Sequence, residues 1–245
     1  MKNTLAILIF CLVPLQLVTA HDPITLNISE GGYPPYMINN KTEKTSGIIV
    51  DVLKVIANKY DRLINYVEIP KNRVESRILA GTLDATPNAK EWVSNQDDFI
   101  FTDVIIGAKD VLFSPSHTPI NYTQPCDLKG KMIGINLGYY YPRLQPFIDD
   151  GKIQTTAATS ELLMLKKTLR HRSQGTVVNE LVGKWIIKND SSMQGKFYIS
   201  KEAINSYGYR IMFNKKWQSF VSIFNKELAI MKANGDLLKI IMQYN

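Results

Sequence analysis

The chain is 245 residues long and 45% apolar, with 29 Lys and Arg against 22 Asp and Glu, a formal charge of +7. That length and apolar share suffice to bury a core, and they exclude a disordered or low-complexity chain. The basic excess is mild and scattered. Its densest stretch, Lys166, Lys167, Arg170 and Arg172, falls on a predicted helix whose Leu162, Leu165 and Leu169 face inward, so it reads as a solvated helix face and no nucleic-acid partner is expected.

At the N-terminus, Lys2 precedes an apolar run over residues 5–13, and Val18, Thr19 and Ala20 form a small-residue ending. These are the three parts of a secretory signal. The run falls short of the roughly 20 residues of a membrane span. Residues 1–20 are therefore expected to be a signal peptide, with His21 opening an exported mature chain. Its removal would leave Cys126 as the remaining cysteine, which excludes an internal disulfide. His21, His117 and His171 show no metal-ligand or catalytic spacing, so no metal and no cofactor are expected.

Apolar periodicity then gives an alternating α/β pattern. Residues 24–28 read as a strand and 30–35 as a turn. A helix follows over 48–60 with Val52, Ile56 and Tyr60 on one face, then a strand over 63–69 and a short helix over 72–79 that Gly81 ends. A second run begins near Lys129: a strand over 132–136, a turn at Gly138 and a helix over 140–149. Ser160 caps a helix reaching residue 170, followed by a buried strand over 176–178 and a helix over 180–187. Trp217, Phe220, Phe224, Leu228 and Met231 sit at helical spacing and belong to a core; Asn234 and Gly235 break the pattern, and Asp236 caps a last short helix.

Several segments, in order, carry a family likeness. They are Gly32-Tyr33-Pro34-Pro35-Tyr36, Ser46-Gly47-Ile48-Ile49-Val50-Asp51-Val52-Leu53, Leu79-Ala80-Gly81-Thr82-Leu83-Asp84-Ala85 and Phe99-Ile100-Phe101-Thr102, then Leu128-Lys129-Gly130-Lys131-Met132-Ile133-Gly134-Ile135 and the stretch from Asn225 through Gly235. Each is short and common, but together they resemble the bacterial extracellular solute-binding proteins of the polar-amino-acid type (family 3). The resemblance covers nearly all of the mature chain. It implies an α/β, two-lobed type 2 periplasmic-binding fold with two mixed sheets flanked by helices. Lobe 1 would comprise residues 21–110 and 207–245 and lobe 2 residues 111–206, with two hinge crossings. It further implies a periplasmic monomer that closes over a small-molecule ligand and serves a membrane permease of the ABC type, or signals to a membrane sensor.

The resemblance and the residues nominate a set of ligand contacts. Tyr33 and Tyr36 lie in the first loop after the first strand, where a ring could stack on the ligand, although Tyr36 could equally pack under the Pro34-Pro35 turn. The family's carboxylate-clamping arginine is missing: no arginine occurs between Arg77 and Arg143, and Thr86 through Trp92 replace the usual serines. Asn88, Lys90 and Glu91 in that loop, and Arg73 on the short helix before it, are the substitutes considered; Arg73 could instead face solvent. In lobe 2, Tyr139 and Tyr140 precede a helix with Arg143 in its first turn, and its amides could receive an anion. Glu180 matches the position of an acidic residue that binds the ligand's ammonium, or else complements its own helix N-terminus.

A dehydratase on the same scaffold, with Glu180 as general acid, is the enzyme alternative, but no paired histidine, serine nucleophile or second aligned acid supports it. The expectation is a binding protein, not an enzyme, for a small polar or cationic, amino-acid-like molecule.

Overall fold

The computed structural model describes residues 22–29, 31–39 and 45–244, so the expected signal peptide and His21 lie outside the described residues. Strand β1 (Ile24–Ile28) leads through a proline-bearing loop to helix α1 (Ile48–Asn58), then to β2 (Ile64–Glu68), α2 (Lys71–Leu79), β3 (Ala85–Ala89) and the short β4 (Ile100–Phe101). The long strand β5 (Ile106–Pro115) crosses to a second block of β6 (Met132–Asn136), α3 (Gln145–Asp149), β7 (Gln154–Ala158), α4 (Glu161–Leu169), β8 (Gly175–Asn179), α5 (Glu180–Asn189) and β9 (Phe197–Ile199). Strand β10 (Asn205–Phe213) returns to the first block, which α6 (Gln218–Ala233) and α7 (Asp236–Met242) complete.

Hydrogen bonding links the main strands in the order β2-β1-β3-β10-β5-β8-β6-β7. β1 is parallel to β2 and β3, and β6 is parallel to β7 and β8. Within the sheet, the antiparallel pair β5 and β10 joins the two blocks: one end of β10 runs along β3, and the far end of β5 runs along β8. Each block is thus a lobe, and one continuous ten-stranded sheet curls from the first lobe into the second.

The packing follows the same division. Ile24, Leu26, Leu53, Ile56, Ile211 and Phe224 are fully buried in the lobe 1 core. In lobe 2, β5 alternates as a strand buried on both faces must: Leu112 joins Ile133, Leu144 and Val177 on one side, while Val111 and Phe113 join Met164 and Leu165 on the other. The C-terminal stripe Trp217, Phe220, Phe224, Leu228 and Met231 is buried against lobe 1, as its spacing predicts. Gly47, which opens α1, has φ +120°, and a Cβ there would lie 2.6 Å from the Tyr36 carbonyl oxygen, so no other residue fits that close approach.

Three sequence expectations are corrected. The helix expected over 140–149 begins only at Gln145, with Pro146 in its first turn; Pro142 disfavours helical geometry at Tyr141, which keeps 139–143 in a loop. On α4 the buried face is Met164, Leu165 and Thr168, whereas Leu162 and Leu163 are exposed. Asp236 is the first residue of α7 and Gly235 its cap. Strand β7, of sequence QTTAA, went unread because it is an edge strand carrying no large apolar residue.

Candidate functional site

The parallel strands of both lobes point their carboxyl ends at one another, where open α/β sheets place ligands. Between those ends lies a cleft of about 640 Å³, within the range of small-molecule sites. Its lobe 1 wall is Asn27, Ser29, Lys71, Thr86 and Asn88, from the ends of β1 and β3 and the start of α2. Its lobe 2 wall is Asn136, Tyr139, Ser160 and Glu161, from the ends of β6 and β7 and the start of α4. Tyr33, Trp92 and Tyr209 supply aromatic surface.

The polar groups are held in place from behind. Asn27 accepts a hydrogen bond from the Ile69 amide at 2.9 Å and donates to the Thr86 hydroxyl at 3.2 Å. Ser160 caps α4 by accepting from the Leu163 amide at 3.3 Å, which sets Glu161 at the first helical position, facing the cleft. Asn136 Nδ2 donates to Glu161 Oε1 at 3.0 Å. Burial raises the pKa of the Glu161 carboxyl; its own backbone amide, Asn136, the Tyr33 hydroxyl and the Lys71 charge pull the other way. Across the cleft, the Lys71 ammonium stands 4.5 Å from the centre of the Tyr139 ring. Burial lowers the Lys71 pKa, with Glu161 and Glu75 opposing. Burial also lifts the Tyr139 phenol to about 12.

Behind the cleft, polar groups and rings join the lobes. The Tyr36 hydroxyl donates to Asn179 Oδ1 at 3.1 Å, Asn179 Nδ2 donates to the Tyr207 hydroxyl at 2.9 Å, and that hydroxyl donates to Asp110 Oδ1 at 3.1 Å. Burial pushes the Asp110 carboxyl up to about 6 despite the hydrogen bonds from Asn205 and Tyr207. Tyr36 lies 4.5 Å from Tyr209, and Trp92 lies 4.6 Å from Tyr207, centre to centre. Where β5 and β10 cross, Gly107 pairs directly with Gly208, and a Cβ on Gly208 would come within 2.5 Å of the Val104 side chain.

The sequence-nominated residues therefore divide. Tyr33, Asn88 and Tyr139 line the cleft. Tyr36 is fully buried behind it, in the hinge network. Lys90 and Glu91 are exposed, with the Lys90 ammonium 5.8 Å from the Phe101 ring centre; neither lines the cleft, because a single 3-10 turn carries them outward while Trp92 turns inward. Arg73 is exposed on the outer side of α2. Tyr140 is 70% exposed, and Arg143 donates to the Ala203 carbonyl at 3.0 Å, both in the loop that Pro142 and Pro146 hold outside the helix. Glu180 points to the back of the hinge, pairing with Lys109 at 3.1 Å and Lys184 at 2.7 Å beside a separate 350 Å³ pocket. The Lys184 and Lys109 pairs bring its carboxyl below the usual range against the effect of burial. Lys71, Trp92, Asn136 and Glu161 escaped sequence reading. Ser160 followed by Glu161 at a helix start after a strand was the available signal; it read as a cap alone.

A two-lobed sheet protein with its polar cleft at facing strand ends, and two strands as hinge, is a binding protein of the periplasmic type. The chain belongs to the bacterial extracellular solute-binding proteins, family 3, whose profile it matches over residues 27–245. That is a family of binding proteins, not enzymes. No curated protein matches the chain by sequence. Among solved structures it is similar to a histidine kinase sensor domain with similarity to periplasmic binding proteins (TM-score 0.75, 17% identity, 92% of this chain and 96% of that one). It is also similar to an ancestral arginine-binding protein bound to arginine (TM-score 0.73, 18% identity, 92% and 99%). A third is the substrate-binding protein of an ABC uptake transporter from Streptococcus pneumoniae with bound histidine (TM-score 0.71, 14% identity, 91% and 92%). At these identities the likeness establishes the shared fold.

Proposed function

We propose that the protein is a periplasmic solute-binding protein that captures a small polar or cationic, amino-acid-like molecule by closing its lobes, and delivers it to an ABC-type transporter. The observation that carries this reading is the cleft itself: residues of both lobes line one space of about 640 Å³ whose walls bring rings, amides and opposite charges together. Lobe boundaries near residues 110 and 206 would make β5 and β10 the hinge, with the glycine pair offering little steric resistance to bending. Tyr33, Asn88 and Tyr139 are the nominated contacts that fit this role.

The test is thermal unfolding of the purified protein against amino acids, polyamines, sugars, short peptides and organic acids. A ligand at 100 times its dissociation constant adds about 2.7 kcal/mol to the folded state, a rise of about 5 to 10 °C in Tm for a chain of this size. No rise across the panel would remove the reading. The likeness to a kinase sensor domain supports a second reading, delivery of a signal to a membrane receptor in place of cargo to a permease. Cells lacking the gene separate the two: lost uptake of the labelled ligand supports transport, and intact uptake with a lost transcriptional response supports sensing.

A further inference from the structure

The pocket of about 350 Å³ at the back of the hinge has a topological origin. Strand β8 pairs with β5 as far as Asn179 opposite Asp110, and the chain then turns into α5. Among the described residues, this leaves β5 without a strand neighbour on that edge at residues 107–109. Tyr36 of lobe 1, Leu181 at the start of α5 and Tyr207 on β10 bound the gap, so its apolar walls come from both lobes. Lys109 pairs with Ser206, and Gly107 stands two residues along β5 from Lys109, which puts all three on one face of the hinge ladder. All three line the pocket.

Gly107 is the first sign of a ligand. Its partner Gly208 is fixed by packing, because a Cβ there would come within 2.5 Å of the Val104 side chain. Gly107 has no such reason: a Cβ there meets nothing within 4 Å, and its φ lies outside the left-handed region. An exposed glycine inside a strand weakens the strand and often marks the close approach of another molecule. What the missing side chain leaves is open space beside Lys109 and Ser206. Charge is the second sign. Glu180 pairs with Lys109 at 3.1 Å and with Lys184 at 2.7 Å, so the three groups together carry one positive charge. The Lys109 ammonium, at the pocket wall, can accept an anionic group while Glu180 keeps Lys184.

We propose that this pocket is a second small-molecule site, for a monocarboxylate with a compact apolar body: the body lies against Leu181 and Tyr207 in the space over Gly107, and the carboxylate meets Lys109. The volume is at the low end for small-molecule sites, which suits a single ring or a short branched chain. A lysine is a point charge with rotatable donors, so it holds a carboxylate without fixing its plane. The assignment stands on the lining of this pocket and is independent of what the main cleft binds.

The experiment is calorimetric titration of the protein with benzoate, cyclohexanecarboxylate and 3-methylbutanoate, each beside its matched amine and its neutral amide. At least one carboxylate is expected to bind, and more tightly than its amine and amide. For that probe, Gly107→Leu fills the space and weakens binding about tenfold or more, the effect of overpacking a site. Gly107→Ala adds one methyl group, weakens binding far less, and raises the Tm of the ligand-free protein by about 1 to 4 °C, as the loss of a strand glycine should. Lys109→Met weakens binding about 2- to 5-fold, the range of a partly exposed ion pair, and Lys109→Arg restores it. The Lys109 side chain is partly exposed, so its variants test the site even where Gly107→Leu fails to fold. Absence of binding by all three carboxylates overturns the proposal, as does an amine that binds as tightly as its carboxylate. Unchanged affinity in Gly107→Leu places the probe elsewhere, and equal losses in Gly107→Ala and Gly107→Leu mean that the glycine serves hinge bending; either result also overturns it. All of these leave the solute-binding reading standing.

Discussion

The Tyr36 hydroxyl, in the first loop of lobe 1, donates a hydrogen bond of 3.1 Å to Asn179 Oδ1 at the end of β8 in lobe 2. The bond is buried and joins lobes that the chain otherwise connects through two strands. Asn179 Oδ1 also accepts from the Val182 amide at 3.1 Å, capping α5, so one side chain fixes both a helix start and the lobe contact. Tyr36→Phe deletes the donor and keeps the ring. Losing one buried hydrogen bond costs about 1–3 kcal/mol, and at roughly 2–4 °C per kcal/mol for a chain of this length the Tm should fall by about 2–12 °C. An unchanged Tm would show that the network does not hold the lobes together.

Glu180 provides the contrasting case. Its carboxylate is committed to Lys109 and Lys184 on the back of the hinge, away from the main cleft. Partly exposed pairs of this kind contribute about 0–1 kcal/mol. Glu180→Ala removes two such pairs and is therefore expected to lower Tm by no more than about 8 °C and to leave ligand affinity within about twofold. A loss of tenfold or more by titration would put this residue in contact with the ligand.

The two results explain what was legible in the sequence. Element order was readable because apolar spacing reports burial: the stripe from Trp217 to Met231 and the strand at Ile24 follow directly from it. The cleft was only half readable. Tyr33 and Tyr139 follow strand ends and Asn88 lies near the end of β3, where a ligand site is expected from topology alone. Whether a side chain turns inward depends on local geometry that spacing does not encode: one 3-10 turn sends Lys90 and Glu91 outward and Trp92 inward. Likewise Asn179 and Glu180 are neighbours, yet the helix start turns the first into the hinge and the second to the back. Lys71 was missed because helix propensity placed the start of α2 one residue later, and Pro70 sets it.

Asp110 makes stability depend on pH. Its carboxyl titrates near 6 in the folded chain, raised chiefly by burial, against about 4 when unfolded. The folded state therefore binds more protons than the unfolded state between those values. By linkage, this group's contribution to stability falls as pH rises from about 4 to about 6, and the penalty is complete above that. Asp110→Asn keeps an acceptor for the Tyr207 hydroxyl without the charge. Its Tm should exceed that of the parent at pH 8, and the difference should shrink toward zero at pH 4. A difference that does not vary with pH would mean that the carboxyl has the same pKa in the folded and the unfolded chain, its burial already compensated.

Closure itself can be followed through Trp92. The chain has three tryptophans. Trp217 is buried in the lobe 1 core, and Trp185 lies beside Tyr244 on the far side of α5. Trp92 alone of the three lines the cleft, 45% exposed, with Tyr207 and Tyr209 at 4.6 and 5.6 Å. Lobe closure over a ligand removes water from its open face and presses it on those rings, so ligand addition should shift its emission to shorter wavelength. Trp92→Phe keeps an apolar ring at the position and should abolish the ligand-dependent change while the thermal shift with the same ligand persists. If the fluorescence change survives in that variant, it originates at Trp185 or Trp217, and the motion on binding lies elsewhere than across the cleft.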